Sequence, residues 1–345
     1  MNFKHCLIII LYFLFIILCL GICFLSPIFK RFPKPTGPYN VGTRSHEIHD
    51  EAQEFTIRYW YPTEQEYITV QYGNSKQNKW MKTHIAKALN IPYMLFKNAF
   101  NATTHSASYA PLSNVKETYP VIIFLPGYGA SYDYYTALLE SLASHGYMIV
   151  SINTSTIQPM FFDDGRMIQP NDGINVDKMT PLILNTKYTI ELIQRINDEE
   201  DSIWRNRINL KKLCIMGHSL GGSAAIIIAQ IDEGDSIAAG INLDGWLEME
   251  AIQAIPIPFL FLMNDTDFPP GKEDGMKEIE QTCALNPEHS EVKIIPGAGH
   301  NSFFDFAFLK WPFNKISDPG TKNPYTIFQN IENDILKFLK QEDFK

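Results

Sequence analysis

The sequence is poor in the features that mark metal proteins, dinucleotide binders and nucleic-acid binders. It has five cysteines in 345 residues, and it contains neither a Cys-x-x-Cys nor a His-x-x-x-His spacing of the kind that holds a metal. No Gly-x-Gly-x-x-Gly follows a predicted strand. The formal net charge is −9, and no basic stripe is interleaved with aromatic residues, which argues against nucleic acid as a partner. We therefore expect no metal and no organic cofactor.

Charge is also missing from the N-terminal region, where an almost unbroken apolar run covers residues 6–25. About 20 apolar residues are the length that a helix needs to cross a bilayer. The run lacks a good small-x-small cleavage site, which favours an uncleaved anchor over a signal peptide. Basic residues flank it on both sides, so its orientation is not fixed. We expect residues 1–30 to be a single-pass membrane anchor with the rest of the chain outside the cytoplasm, or a signal segment of a secreted protein.

A proline-rich stretch at 31–41 predicts a rigid, polar stem that lies outside the core. We expect one catalytic domain to follow at 42–345. Within it, residues 63–118 form an irregular insertion with a helix near residues 80–89. Only Cys214 and Cys283 remain in this domain, and no spacing rule pairs them in a disulfide.

The rest of the chain alternates short apolar runs with helical patterns. A half-exposed strand at 54–61 is expected to end at Pro62. Continuous apolar strands that alternate with helices are typical of a parallel sheet that is buried on both faces. We therefore predict an α/β fold with a mostly parallel central sheet. The predicted strands are 121–125, 147–152, 213–216, 237–243, 259–263 and 292–295, and the main helices are 134–145, 179–196 and 324–340.

The segment Gly-His-Ser-Leu-Gly at 217–221 lies between an apolar strand and an Ala/Ile-rich helix. This is the pattern of a nucleophile elbow, a sharp turn that presents a serine at the edge of the sheet. Gly217 and Gly221 are required because the strained turn leaves no room for side chains two positions from the serine. The pattern predicts Ser219 as a nucleophile, next to the positive end of the following helix.

A serine hydroxyl needs a base to take its proton and an acid to orient that base. His300 follows the last predicted strand in a glycine-flanked turn, and it is the predicted base. Asp244 and Asp267 follow two successive strands, and either could reach His300. Position alone slightly favours Asp267. The chain order of serine, acid and histidine is that of α/β-hydrolases.

Two backbone N–H groups must also face the oxygen that becomes negative during acyl transfer. One is expected from Leu220, the residue after the nucleophile. The other is expected from Tyr128 in the turn Pro-Gly-Tyr-Gly at 126–129, which follows a predicted central strand. Since Tyr128 and Leu220 are bulky, we expect room for short acyl groups.

Six motifs together resemble the plasma and type II platelet-activating-factor acetylhydrolases over a region from about residue 36 to the C-terminus. They are Thr-Gly-Pro-Tyr-Asn-Val-Gly from Thr36, Pro-Gly-Tyr-Gly from Pro126, Leu-Ala-Ser-His-Gly-Tyr from Leu142, Gly-His-Ser-Leu-Gly-Gly from Gly217, Leu-Asp-Gly-Trp from Leu243, and Gly-His-Asn-Ser-Phe-Phe-Asp-Phe from Gly299.

The resemblance implies an α/β-hydrolase fold. It also implies a calcium-independent serine esterase that removes short or oxidised sn-2 acyl groups from phospholipids at a lipid surface. In that family the triad acid is the aspartate of Leu-Asp-x-Trp, so the resemblance implies Asp244 rather than Asp267.

The chain departs from the family at two places near the predicted site. Pro126 stands where the family has a histidine, and residues 152–155 read Ile-Asn-Thr-Ser in place of Glu-His-Arg-Asp. The polar groups around the acyl pocket therefore differ. Two alternatives follow: a broad-specificity esterase of the polyester or dienelactone type, which would use Asp267, and a non-catalytic binding protein on the same fold.

Overall fold

The computed structural model describes residues 5, 12–13, 21, 32–49, 54–66, 72–73, 75–88, 92–93, 102–162, 164, 166–171, 177–247, 252–265, 273–310 and 318–342. Asp267 and nearly all of the expected membrane segment at 6–25 lie outside these ranges. In the part of the chain that is described, no helix is both long and apolar enough to cross a bilayer.

The described residues form a central sheet of nine strands, with a separate two-stranded ribbon, β6 and β7. The strands are β1 Asn40–His49, β2 Glu54–Thr63, β3 Ser106–Ser108, β4 Tyr119–Leu125, β5 Met148–Thr154, β6 Met160–Phe161, β7 Met167–Ile168, β8 Ile208–His218, β9 Ala239–Leu243, β10 Phe259–Met263 and β11 Ser290–Ile294. Their order in the sheet is β11-β10-β9-β8-β4-β5-β2-β1-β3. The six strands from β11 to β5 are parallel, and β2 pairs antiparallel with both β5 and β1. The prediction of a mostly parallel sheet is confirmed.

Helices cover both faces of the sheet. They are α1 Ser75–Ala88, α2 Thr136–Ser144, α3 Met179–Asp198, α4 Leu220–Asp232, α5 Glu273–Ala284 and α6 Pro324–Gln341. Side chains of α1, α2 and α6 join one apolar core, and those of α3, α4 and α5 join the other. Successive residues of β4 alternate between the cores, with Ile122 and Phe124 in the first and Val121 and Ile123 in the second. A strand buried on both faces is continuously apolar for this reason.

The expectation that residues 31–41 lie outside the core is wrong. Phe32 is only 9% exposed and belongs to the first core, where its ring packs edge-on against Tyr72 at 5.4 Å between centroids. The polar atoms of the stretch also have partners, because Thr36 donates to Glu332 Oε1 at 2.6 Å and the Gly37 N–H donates to Ser144 Oγ at 2.9 Å. Prolines thus make this segment rigid without keeping it off the domain.

Pro62 does not end its strand, which continues to Thr63. The pairing of β2 with β5 stops at Trp60, while its pairing with β1 continues through Pro62 and Thr63. A proline is tolerated where its missing N–H would face an unpaired edge.

The segment 63–118 contributes to both the sheet and the core. β3 pairs with β1 at the edge of the sheet, and Met81 and Ala86 of α1 are buried in the first core.

Candidate active site

The turn after β8 holds Ser219 in a strained conformation. Its φ is 54° and its ψ is −123°, in a region that residues with a side chain rarely adopt. A Cβ atom at Gly217 would overlap the carbonyl oxygen of Gly221, and one at Gly221 would overlap that of Leu125. The glycines are therefore required by the close approach that the sequence predicted. Helix α4 begins at Leu220, so the partly exposed Ser219 lies at its N-terminus.

Ser219, His300 and Asp244 lie in one hydrogen-bonded line at the carboxyl edge of the parallel strands. His300 Nε2 is 3.1 Å from Ser219 Oγ, and His300 Nδ1 is 2.5 Å from Asp244 Oδ2. The His300 side chain is 30% exposed, whereas that of Asp244 is 0% exposed. A carboxylate can only accept, so Nδ1 carries the proton and Nε2 is left to accept from the serine hydroxyl.

Asp244 directly follows β9, and its other partner is Asn264, which directly follows β10. The Asn264 backbone N–H donates to Oδ1 at 3.1 Å, and its side-chain amide donates at 2.8 Å. Burial favours the neutral acid, but the hydrogen bond from His300, the attraction to this imidazole when it becomes charged, and the Asn264 donors outweigh it and lower the pKa of Asp244 below its ordinary value. Asp244 is thus kept charged. No sequence pattern indicated Asn264, because its role depends on the adjacent strand.

Hydrogen bonds fix the turn that carries His300. The Gly299 N–H donates to Ser302 Oγ at 2.9 Å, and the Ser302 hydroxyl donates to the Pro319 carbonyl at 2.8 Å. Asp265, just after β10, accepts the Gly297 N–H at 2.7 Å. These bonds hold the backbone on both sides of His300, so its ring does not depend on Asp244 alone for its position.

Tyr128, expected to supply an N–H group, lies in the loop next to Ser219. A Cβ atom on the preceding residue, Gly127, would come within 3.2 Å of Ser219 Cβ. The Tyr128 hydroxyl donates to the Asn171 carbonyl at 3.0 Å, and the Lys178 ammonium lies 4.2 Å from the centre of its ring. Such a cation over an aromatic face is attracted to it. The Tyr128 side chain is therefore held on two sides.

Buried polar side chains at the end of β5 support the same loop. Asn153 Oδ1 accepts the Tyr132 N–H at 2.9 Å. Gln158 is 0% exposed, and its amide donates to the Pro126 carbonyl at 3.1 Å. Asn153, within the segment that departs from the family pattern, thus holds the end of this loop at Ser131 and Tyr132, and Gln158, outside that segment, holds its beginning at Pro126. No pattern in the sequence indicated Gln158.

The fold, with a serine, a histidine and an aspartate meeting at the carboxyl edge of its parallel strands, defines a class of protein: serine ester hydrolases with an α/β fold. Within this class, the family of platelet-activating factor acetylhydrolase, isoform II, matches residues 26–200 and 196–345. The match extends over most of the chain, and the protein belongs to that family.

One relative carries the name of this family, another is a cutinase, and a solved structure shares the fold. The dog (Canis lupus familiaris) platelet-activating factor acetylhydrolase is 23% identical, over 81% of this chain and 69% of its own. Cutinase est1 of Thermobifida alba is 29% identical over 46% of this chain and 45% of its own. A ferulic acid esterase from Streptomyces cinnamoneus has the same fold, with a TM-score of 0.70 at 20% identity, over 90% of this chain and 92% of its own.

Proposed function

We propose that this hydrolase cleaves carboxylic esters with Ser219 as nucleophile, His300 as general base and acid, and Asp244 as the group that orients His300. The observation that carries the proposal is the continuous line of contacts from Ser219 Oγ to His300, at 3.1 Å, and from His300 to the buried Asp244, at 2.5 Å. The charged form of Asp244 supports it, because that carboxylate stabilises the imidazolium formed during attack.

In the first half of the reaction Ser219 Oγ attacks the ester carbonyl carbon while its proton passes to His300 Nε2. The carbonyl oxygen becomes negative, and the backbone N–H groups of Tyr128 and Leu220 stabilise it. The N-terminus of α4 adds a favourable dipole. The carbon–oxygen bond to the alcohol then breaks, and His300 returns the proton to the leaving oxygen. An acyl group remains on Ser219.

In the second half water attacks the acyl carbon and gives a proton to His300 Nε2. The bond to Ser219 Oγ breaks, His300 returns the proton to the serine, and the carboxylic acid leaves. Every proton is transferred by His300, so the scheme needs no metal ion.

The substrate class we propose is a phospholipid with a short sn-2 acyl group, cleaved without calcium. Membership of the platelet-activating factor acetylhydrolase family supports this class. The apolar run at 6–25 supports attachment to a membrane as a single-pass anchor, or secretion if it is cleaved. In either case we propose a catalytic domain outside the cytoplasm.

A second candidate is a broad-specificity esterase. The matched cutinase and the matched ferulic acid esterase, each described by its name as acting on another ester, favour it. Pro126 and residues 152–155, which differ from the family pattern, lie in or next to the loop of Tyr128. A non-catalytic binding protein is disfavoured, because it would have no use for a strained serine in contact with a histidine.

A substrate series in the presence of EDTA tests the proposal. The protein without residues 1–30 should hydrolyse acetyl to butyryl sn-2 phospholipids at least ~10-fold faster, in kcat/KM, than palmitoyl phospholipids with the same headgroup. A kcat/KM that rises with chain length to sixteen carbons would contradict the short-acyl proposal. Equal kcat/KM for phospholipids and simple short-chain esters would favour the broad-specificity esterase, and reversible loss of activity in EDTA would contradict metal independence.

A further inference from the structure

Behind the candidate site, two buried side chains connect the loop of Tyr128 with the turn of His300. Tyr135 Oη lies 3.0 Å from the backbone nitrogen of Gly127 and 2.9 Å from Nδ1 of His218. His218 Nε2 lies 3.0 Å from the carbonyl oxygen of His300. Both side chains have no exposed surface. Neither takes part in the reaction steps given above.

The partners fix the direction of each hydrogen bond. The carbonyl of His300 can only accept, so His218 Nε2 carries a proton. In the neutral ring Nδ1 then accepts from the Tyr135 hydroxyl. Burial raises the pKa of Tyr135, which therefore keeps its proton. Because the Tyr135 oxygen accepts the Gly127 N–H, the three hydrogen bonds that lead from Gly127 to His300 all point in the same direction.

Both ends of this series of hydrogen bonds lie against Ser219. Gly127 precedes Tyr128, and a Cβ atom on it would come within 3.2 Å of Ser219 Cβ. At the other end, the rings of His218 and His300 lie 4.7 Å apart between centroids, at 35°. A movement of Gly127 would redirect the N–H of Tyr128. A movement of the His300 backbone would change the distance from its ring to Ser219 Oγ.

We infer that Tyr135 and His218 are positioning residues of this hydrolase. Through Gly127 they hold the loop of Tyr128, and through the carbonyl of His300 they hold the catalytic imidazole, so that both keep their positions relative to Ser219. The inference rests on the proposed function. A displacement of about 1 Å in a catalytic group can reduce a rate ~10²-fold. Neither side chain is proposed to touch the substrate, so its loss should lower kcat and leave KM nearly unchanged.

Tyr135→Phe is the direct test, because it removes one oxygen and keeps a ring that packs against Phe124 at 4.7 Å and Phe304 at 5.0 Å. Tyr119→Phe is a matched control. Tyr119 is also completely buried, and its hydroxyl accepts the Lys116 N–H at 3.4 Å and donates to the Ser113 carbonyl at 3.1 Å. It lies at the amino end of β4, away from Ser219.

With p-nitrophenyl acetate, and at a temperature where circular dichroism shows both variants folded, Tyr135→Phe should lower kcat by ~10- to 100-fold with KM within threefold. Tyr119→Phe should leave kcat within twofold of the unsubstituted protein. The inference is overturned if the two variants have the same kcat, or if the loss caused by Tyr135→Phe appears only in KM.

A second substitution tests the coupling of the two residues. His218→Phe keeps a buried ring but removes both nitrogens, the one that donates to the His300 carbonyl and the one that accepts from Tyr135. In that background Tyr135→Phe should lower kcat by a smaller factor than it does alone, because its bond to His218 is already lost and only its bond to Gly127 is removed. A full, multiplicative loss would overturn the coupling of the two residues.

Ser219→Ala distinguishes a failure of this inference from a failure of the proposed function. If Ser219→Ala abolishes activity while Tyr135→Phe behaves like Tyr119→Phe, only the positioning role is wrong. If Ser219→Ala remains active, the proposed function is wrong and the positioning role fails with it.

Discussion

Two buried carboxylates, in different regions of the molecule, have pKa values that are shifted in opposite directions. Asp244 and Glu140 both have no exposed surface. The pKa of Asp244 is lowered although burial acts against it, and that of Glu140 is raised by burial to about 7. The comparison shows that partners, and not depth, decide whether a buried acid remains charged.

The difference follows from the donors in each region. Asp244 faces the imidazole of His300, which becomes a cation, together with the amide of Asn264. Glu140 is on α2 and accepts the His105 N–H at 2.9 Å and the Ser106 hydroxyl. The donors to Glu140 also favour its charged form but do not outweigh burial, whereas the hydrogen bond and the attraction from His300 do so at Asp244.

We use the name edge cluster for Phe32, Tyr72, His105, Ser106 and Glu140, which lie beside the edge strand β3. Phe32 links the two rings of the cluster, at 5.4 Å from Tyr72 and 6.3 Å from His105 between centroids. The hydrogen bonds and ring contacts of the edge cluster join the N-terminal stretch, α2 and β3. The edge cluster should therefore affect stability, and the Ser219 site should affect rate.

The largest expected effect is on rate, and it tests whether activity depends on the Ser219 site and not on the edge cluster. Ser219→Ala should lower kcat/KM for short esters by at least ~10³-fold, since it removes the nucleophile and little packing. Glu140→Gln, the control from the edge cluster, should leave kcat/KM within about twofold. Activity of purified Ser219→Ala within tenfold of the unsubstituted protein would contradict the assignment.

Asp244→Asn tests the charged member of the pair, and we expect a loss of ~10²- to 10³-fold in kcat. The amide keeps the shape but cannot stabilise the imidazolium. Asp267→Asn should cost less than tenfold, because Asp244 is the carboxylate found on His300 in the described residues. If Asp267→Asn were the more damaging change, Asp267 would be the triad acid, as the polyester-type alternative requires.

Much of this site was accessible from sequence because its signals are local. Ser219 lies in a five-residue turn pattern, and Asp244 follows β9, a strand that is apolar because it is buried on both faces. His300 lies in a glycine-flanked turn after the partly exposed edge strand β11. Position alone slightly favoured Asp267, which lies outside the described residues. The family resemblance favoured Asp244, and the structure places Asp244 in contact with His300.

The parts that could not be predicted depend on contacts between distant residues. Tyr135 and His218 meet across 83 positions of the chain, and no periodicity marks such a pair. Strand β3 has three residues, Ser106–Ser108, too few to show an alternating pattern. Phe32 is buried because Tyr72 and His105 pack against it. The prolines that follow it in the sequence give no sign of these contacts.

Truncation tests the N-terminal contribution to the edge cluster. Protein without residues 1–30 should fold and be active, but protein without residues 1–37 should lose about 3–5 kcal/mol in its free energy of unfolding. Burial of Phe32 contributes about 2 kcal/mol, and the bonds of Thr36 and Gly37 contribute about 1 kcal/mol each. Urea unfolding of both proteins measures the difference. Equal unfolding free energies would show that this stretch is not part of the stable domain.

The smallest expected effect concerns pH and the raised pKa of Glu140. A carboxyl whose folded pKa is about 7 and whose unfolded pKa is near ~4.3 binds more protons in the folded state, so its contribution to stability is fully present below pH ~4 and is lost as pH rises to about 7. Glu140→Gln should remove this loss, on the order of 2 kcal/mol between pH 5 and 8. Asp305 has a pKa raised by burial and by the charge of Glu140, so some slope should remain. Urea unfolding at pH 5, 6, 7 and 8 measures it, and identical slopes for the variant and the unsubstituted protein would show that Glu140 is already charged, as Asp244 is.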